Sequence, residues 1–158
     1  MSSLTKKKQY IQDMGLMMEG FGLPQMAGRV FGALLVADPP EVTADELSEL
    51  LEASRGGVSG AVTMLEAMGL IERTRKPGDR KDYFRNKPNA WFEAVKKEIM
   101  LMSQFRLLAE RGLDIVNTND PDVTQGLRDM RDMITFFERE LPEMFERWQR
   151  ERVEEVEA

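Results

Sequence analysis

Between Ser54 and Arg85 the chain passes, in about thirty residues, from a helix of small residues to a hairpin with a basic tip: SRGGVSGAVTMLEAMGLIERTRKPGDRKDYFR. The helix divides by spacing into two faces. Val58, Ala61, Val62, Leu65 and Met68 recur at three- and four-residue intervals and form an apolar stripe. Arg55, Gly56, Ser59, Gly60 and Thr63 occupy the other side. A face meant only for water normally carries Glu, Lys and Gln, and each of Gly56, Gly57 and Gly60 costs the helix roughly 1 kcal/mol relative to alanine. Close approach of another molecule, such as the walls of a major groove, compensates such a loss. A glycine-lined contact with a neighbouring helix, or a poorly formed first turn, would also leave this pattern.

The residues on either side favour the first explanation. Gly69 stops the helix in the manner of a C′ residue, LIERTR alternates as a half-buried strand does, KPGDRK is a turn, and DYFR resumes the alternation. From Arg73 to Lys87 there are seven basic and two acidic side chains, in a chain whose net charge is −6. Upstream, Thr43 with Glu46 forms a capping box that starts a short helix bearing Leu47, Leu50 and Leu51. Ala53 and Ser54 make the turn, and Ser54 caps the next helix. The two helices form a helix-turn-helix, with the hairpin as its wing.

KPGDRKDYF following a helix that ends in MGLIER resembles the wing of the MarR superfamily, most closely its GbsR-type branch, densely from about Thr43 to Trp91. The resemblance implies a winged helix-turn-helix regulator that binds double-stranded DNA as a homodimer. By residue type, Ser54 and the amides at the start of the helix suit phosphates, and Arg55 suits phosphate or guanine. Ser59 and Thr63 suit base edges or phosphates, and the backbone at Gly56, Gly57 and Gly60 permits close approach. By resemblance, Arg80 inserts into the minor groove with Asp79 orienting it, and Arg75, Lys76 and Lys81 complete the basic wing, the two lysines on flanking phosphates. A small effector, in the GbsR branch of the osmoprotectant or quaternary-ammonium kind, is implied as well. Tyr83, Trp91 and Phe92 are the aromatic candidates for it; core packing is their ordinary use.

Composition removes other classes of function. The chain has no cysteine and no histidine. Disulfides, thiolate metal sites, thiol redox sensing, the commonest general base and the commonest transition-metal ligand are all excluded. No metal, cofactor or catalytic residue is expected; carboxylate pairs such as Glu138 and Glu140 fall on a highly charged helix with no glycine-rich loop beside it. The longest uncharged apolar run, Val30 to Ala37, is far short of the ~20 residues a membrane helix needs. Acidic and polar residues follow the Lys6 to Lys8 run, so no secretory core is expected and the cytoplasm is the expected compartment.

The expected fold is mainly α with a small β-wing, in three parts: a dimerisation helix in 1–23, the winged domain in 24–90, and a helical dimerisation region in 91–158. In the first, Tyr10, Met14, Met17 and Phe21 form a narrow apolar seam. A second helix, Pro24 to Ala37, is mostly apolar and central to the core. A long helix over 88–117 should turn Trp91, Phe92, Val95, Ile99, Met102, Phe105, Leu108 and Val116 inward. After a turn from Asn117 to Pro121, Val123, Leu127, Met130, Ile134, Phe137 and Leu141, then Met144 and Trp148, repeat as a coiled-coil seam, with a kink or break expected at Pro142. From Asn119 onward twelve acidic side chains face six basic ones, which suits a dimer interface or open solvent and not DNA. The competing reading is a winged-helix module that binds another protein instead of DNA, in keeping with the acidic overall balance.

Overall fold

The computed structural model of the chain describes residues 3–116 and 118–157, and side chains through residue 152. Its elements are α1 (Ser3–Gly20), α2 (Gln25–Leu35), β1 (Val42–Thr43), α3 (Ala44–Leu51), α4 (Arg55–Ala67), β2 (Ile71–Arg75), β3 (Asp82–Asn86), α5 (Ala90–Val116) and α6 (Pro121–Glu157). The three strands form one antiparallel sheet in the order β1-β3-β2. The expected fold, mainly helical with a small wing, is the one found. Of the turn expected at 117–121, Asn117 lies outside the described residues.

The chain divides into two compact units, Met1–Ala94 and Val95–Ala158, with the boundary inside α5. In the first, α2 is the hub: Ala27, Val30, Phe31, Ala33 and Leu34 are buried, together with Leu47 and Leu51 of α3, Val58, Val62 and Leu65 of α4, and Phe84 of β3. Thus the apolar stripe read from α4 is its buried face.

α1 lies along α2 inside this unit and does not stand apart as its own region. The buried residues of α1 are Ile11, Gly15 and Met18. Tyr10, Met17 and Phe21 are exposed, Phe21 at 80%, and Met14 is half-buried against the core. The cause is glycine. A Cβ built on Gly28 would lie 2.7 Å from the Met14 carbonyl oxygen, and one on Gly32 would lie 2.9 Å from the Met14 Cβ. The helices therefore approach closely beside Gly28 and Gly32, with Ile11, Gly15 and Met18 buried and Tyr10 and Met17 turned outward.

Local signals set the remaining ends. Thr43 Oγ1 accepts from the Glu46 amide (3.3 Å), while the Glu46 carboxylate accepts from the Thr43 amide (2.7 Å), so the capping box is complete. These bonds to Thr43 hold the Glu46 carboxyl below its ordinary value of 4.5. A group whose pKa is lowered on folding stabilises above its unfolded value and loses that contribution as pH falls below it. T43A is accordingly expected to cost about 1 kcal/mol at neutral pH, with the difference from the parent shrinking below about pH 4; urea titrations across pH check this.

β1, only two residues long, was not expected. It pairs Val42 with Phe84 and Thr43 with Tyr83, and so ties the start of α3 to the wing. α5 begins at Ala90, after a left-handed Asn89 (φ 57°).

In the second unit, Gly112 of α5 packs against Leu127 of α6, and Arg106 Nε meets Glu138 at 2.9 Å, so the two helices run in opposite directions. Ala109, Thr124 and Ile134 are buried between them. Several α5 residues expected to face inward do not: Trp91, Val95, Phe105 and Leu108 are exposed; Val123, Met130, Phe137, Met144 and Trp148 of the α6 seam are exposed as well. One two-helix contact covers only one face of each helix, and the remaining apolar residues stay uncovered in a single chain. α6 continues through Pro142 without the expected break.

Candidate nucleic-acid interface

Three segments meet at one surface: the first turn of α3, the outer face of α4, and the wing. The turn between the helices is held from behind. Arg29 Nη2 donates to the Leu51 carbonyl (2.7 Å), and Lys8 Nζ pairs with Glu52 (2.8 Å), the left-handed residue that ends α3. Ser54 then caps α4, its hydroxyl accepting from the Gly57 amide at 3.2 Å. α4 has no acidic residue in its first turn. Helices usually place Asp or Glu there to meet the positive end of the dipole, and an end without one is left for an external anion.

The outer face of α4 is the one read from spacing: Arg55, Gly56, Ser59, Gly60 and Thr63 are all exposed, as are Ser54 and Gly57. A Cβ on Gly56 or Gly60 would find no atom within 4 Å. The contrast with Gly28 is sharp: no neighbour inside the chain requires these two to be glycine. Thr63 donates back to the Ser59 carbonyl (3.0 Å), which flattens the face further.

At its far end α4 stops in a Schellman arrangement. The Leu70 amide bonds the Leu65 carbonyl and the Gly69 amide the Glu66 carbonyl, with Gly69 at φ 75°. β2 follows, pairing with β3 from Ile71↔Asn86 to Arg75↔Asp82. The wing tip is a tight turn in which the Asp79 amide bonds the Lys76 carbonyl (3.0 Å), with Pro77 second and Gly78 third at φ 80°.

Asp79 organises that tip. Its carboxylate accepts from the Lys81 amide (3.0 Å) and from the Tyr83 hydroxyl (2.8 Å). The Lys81 amide, then Tyr83, hold the Asp79 carboxyl below the usual range, and Asp79 in turn pushes the Tyr83 phenol up. Its hold is on the loop: no bond to the Arg80 guanidinium occurs among the described contacts.

Sequence reasoning counted the wing cations but missed their partners, which come from separate elements. Arg73 pairs with Glu66 of α4 (2.9 Å) and Asp82 (2.9 Å) and lies 5.3 Å over the buried Phe84 ring. It is a clamp between wing and helix, and Glu66 above all raises its pKa. Arg75 pairs with Asp82 at 2.8 Å; Arg85 reaches Glu72 at 2.7 Å and Glu41 at 3.8 Å. Lys76 meets Glu41 at 3.5 Å and sits 4.1 Å over Tyr83. Arg55 pairs with Asp45 at 2.9 Å. Arg80 and Lys81, both exposed, make no ion pair among the described residues. The local positive excess is thus concentrated at the wing tip.

The three aromatic candidates for an effector site are occupied separately. Tyr83 is bound within the wing, Trp91 stacks on Phe31 with centroids 6.3 Å apart, and Phe92 is buried. An apolar hollow of about 370 Å³ in the second unit is lined by Ile99, Met102, Ile134, Phe137 and Leu141 among others, and by none of the three. Among the described residues no cluster of carboxylates is placed to hold a metal ion. No helix is long and apolar enough to cross a membrane.

Known proteins resemble this chain over most of its length. Residues 21–82 match the MarR family, and residues 89–151 match the MmpR5-like MarR family transcriptional regulators. The HTH-type transcriptional regulator MmpR5 of Mycobacterium tuberculosis is 38% identical over 130 residues, 82% of this chain and 79% of that protein. A crystal structure described as a transcriptional regulator superposes with a TM-score of 0.77 at 34% identity, covering 92% of this chain and 99% of the other. The chain belongs to the MarR family and is an MmpR5-like, DNA-binding transcriptional regulator with a winged-helix fold.

Proposed function

We propose that the chain acts as a homodimer on a specific duplex site, as a repressor, with α4 in the major groove and residues 75–82 at the adjacent minor groove. The observation that carries this is the pair Gly56, in the first turn of α4, and Gly60, near its middle, both exposed with nothing within 4 Å of either missing Cβ. Gly60 gives up roughly 1 kcal/mol of helix stability, a loss that contact with a second molecule offsets. Ser54 and the uncapped amides of the first turn, Arg55, Ser59 and Thr63 supply the groove contacts, and Lys76, Arg80 and Lys81 those of the wing.

Dimerisation accounts for the apolar side chains left uncovered: Tyr10 and Met17 on α1, Phe21 just after it, and Val123, Met130, Phe137, Met144 and Trp148 on α6. Leu127, Leu141, Met14 and the buried Ile134 complete the seams. Paired recognition helices then enter major grooves about one helical turn apart. A small-molecule effector that releases the DNA is the last part of the proposal. The hollow lined by Ile99, Phe137 and Leu141 offers a ligand more space than Tyr83, bound within the wing, or the buried Phe92. The GbsR-type branch rests on the wing string alone.

Binding by this surface releases counterions. With about four phosphate contacts per protomer, the log of the association constant should fall against log salt with a slope of roughly −7. Titration of a duplex enriched from a random library, at several salt concentrations, measures it. A slope near zero contradicts the mechanism.

A further inference from the structure

The pairing of Arg55 with Asp45 has a place in base selection. Arg55 is the first residue of α4, and Asp45 lies in the first turn of α3, so the bridge joins the two helices of the helix-turn-helix at their exposed edge. The contact runs from Nη2 to the carboxylate at 2.9 Å, with side-chain exposures of 81% and 56%. So exposed a pair contributes little to stability. A cation at the positive end of a helix is locally unfavourable, and a carboxylate on a surface that meets phosphate repels it. Asp45 also lines, with Ser59 of the outer face of α4 and with Lys81 of the wing, an open hollow of about 320 Å³. It therefore stands on the side of the domain that is to meet DNA. Both residues make sense if the carboxylate fixes the guanidinium. Among the described contacts Arg55 has no other protein partner, and its remaining N–H groups stay available. A planar guanidinium fork held still matches the O6 and N7 acceptors of guanine.

Resting on the DNA-binding reading above, we propose that Asp45 is a positioning residue: it holds Arg55 to read one guanine in each half-site and gives up affinity for DNA of arbitrary sequence to do so. Removing the carboxylate then has two effects of opposite sign. Affinity for unselected duplex rises or stays level, because a negative charge is gone, while preference for the enriched sequence falls.

The test is selection from a random duplex library by the full chain, by D45N and by R55K, followed by titration of enriched and unselected duplexes. The expected result is that D45N loses its preference at one base pair per half-site, with the ratio of enriched to unselected affinity down about tenfold or more. R55K, which keeps the charge without the fork, should lose preference at the same base pair and shows the effect even if D45N folds poorly. Variants that retain the parent's base preference, or lose it at different positions, overturn the proposal alone. A parent chain that enriches no sequence overturns the DNA-binding reading together with it.

Discussion

Replacing Arg80 with alanine is expected to weaken binding to the enriched duplex at least about thirtyfold and to leave thermal stability unchanged. A base-reading arginine is worth about 1–3 kcal/mol, and a dimer places two of them on DNA. Nothing in the fold depends on this side chain: it is exposed at the wing tip and, among the described residues, forms no ion pair. Its neighbours differ. R73A removes contacts to Glu66, Asp82 and the face of Phe84, so it should disturb the wing whether or not DNA is present. Calorimetry and fluorescence anisotropy on the two variants separate the roles. Unchanged DNA affinity in R80A would mean that the wing tip does not reach the duplex.

The largest effect on stability is expected at Gly28. A methyl group there would sit 2.7 Å from the Met14 carbonyl oxygen and 2.8 Å from the Gly15 Cα, both backbone atoms that cannot rotate away. α1 and α2 must separate to admit it, loosening the packing of Ile11 and Met18 on α2. G28A should therefore cost about 3 kcal/mol and lower the melting temperature by on the order of 10 °C. G60A makes the same chemical change on a helix surface with no neighbour within 4 Å. It should raise stability by up to about 1 kcal/mol and still weaken DNA binding, because the new methyl group occupies the space of close approach. A neutral G28A would show that α1 is not packed as described. Equal loss of stability in both variants would show that Gly60 is enclosed by the fold.

These two glycines also mark where the sequence was legible. At Gly60 the neighbours that matter are three and four residues away, so spacing alone put it on the outer face of α4. The same holds for the Thr43 and Glu46 box, the Ser54 cap, the stop at Gly69 and the Lys76–Asp79 turn, each closed by bonds spanning a few residues. At Gly28 the deciding atoms belong to another helix, so spacing within α1 did not show that Ile11, Gly15 and Met18 form its buried face. The ion pairs that mute much of the wing charge failed to show for the same reason. Glu41 and Glu66 come from outside the wing, and no periodicity connects Glu41 with Arg85. Trp91, Val95, Phe105 and Leu108 of α5 are expected inward by spacing and are exposed, because apolar spacing records that a face will be covered, without recording whether the cover comes from the same chain.

The central claim, that the outer face of α4 and the wing tip together meet duplex DNA, is tested most directly by amide hydrogen exchange on the full chain with and without the enriched duplex. Slowed exchange should appear from Arg55 to Gly60 and from Gly78 to Lys81. Protection confined to residues beyond 95, with both of those segments unchanged, would contradict it.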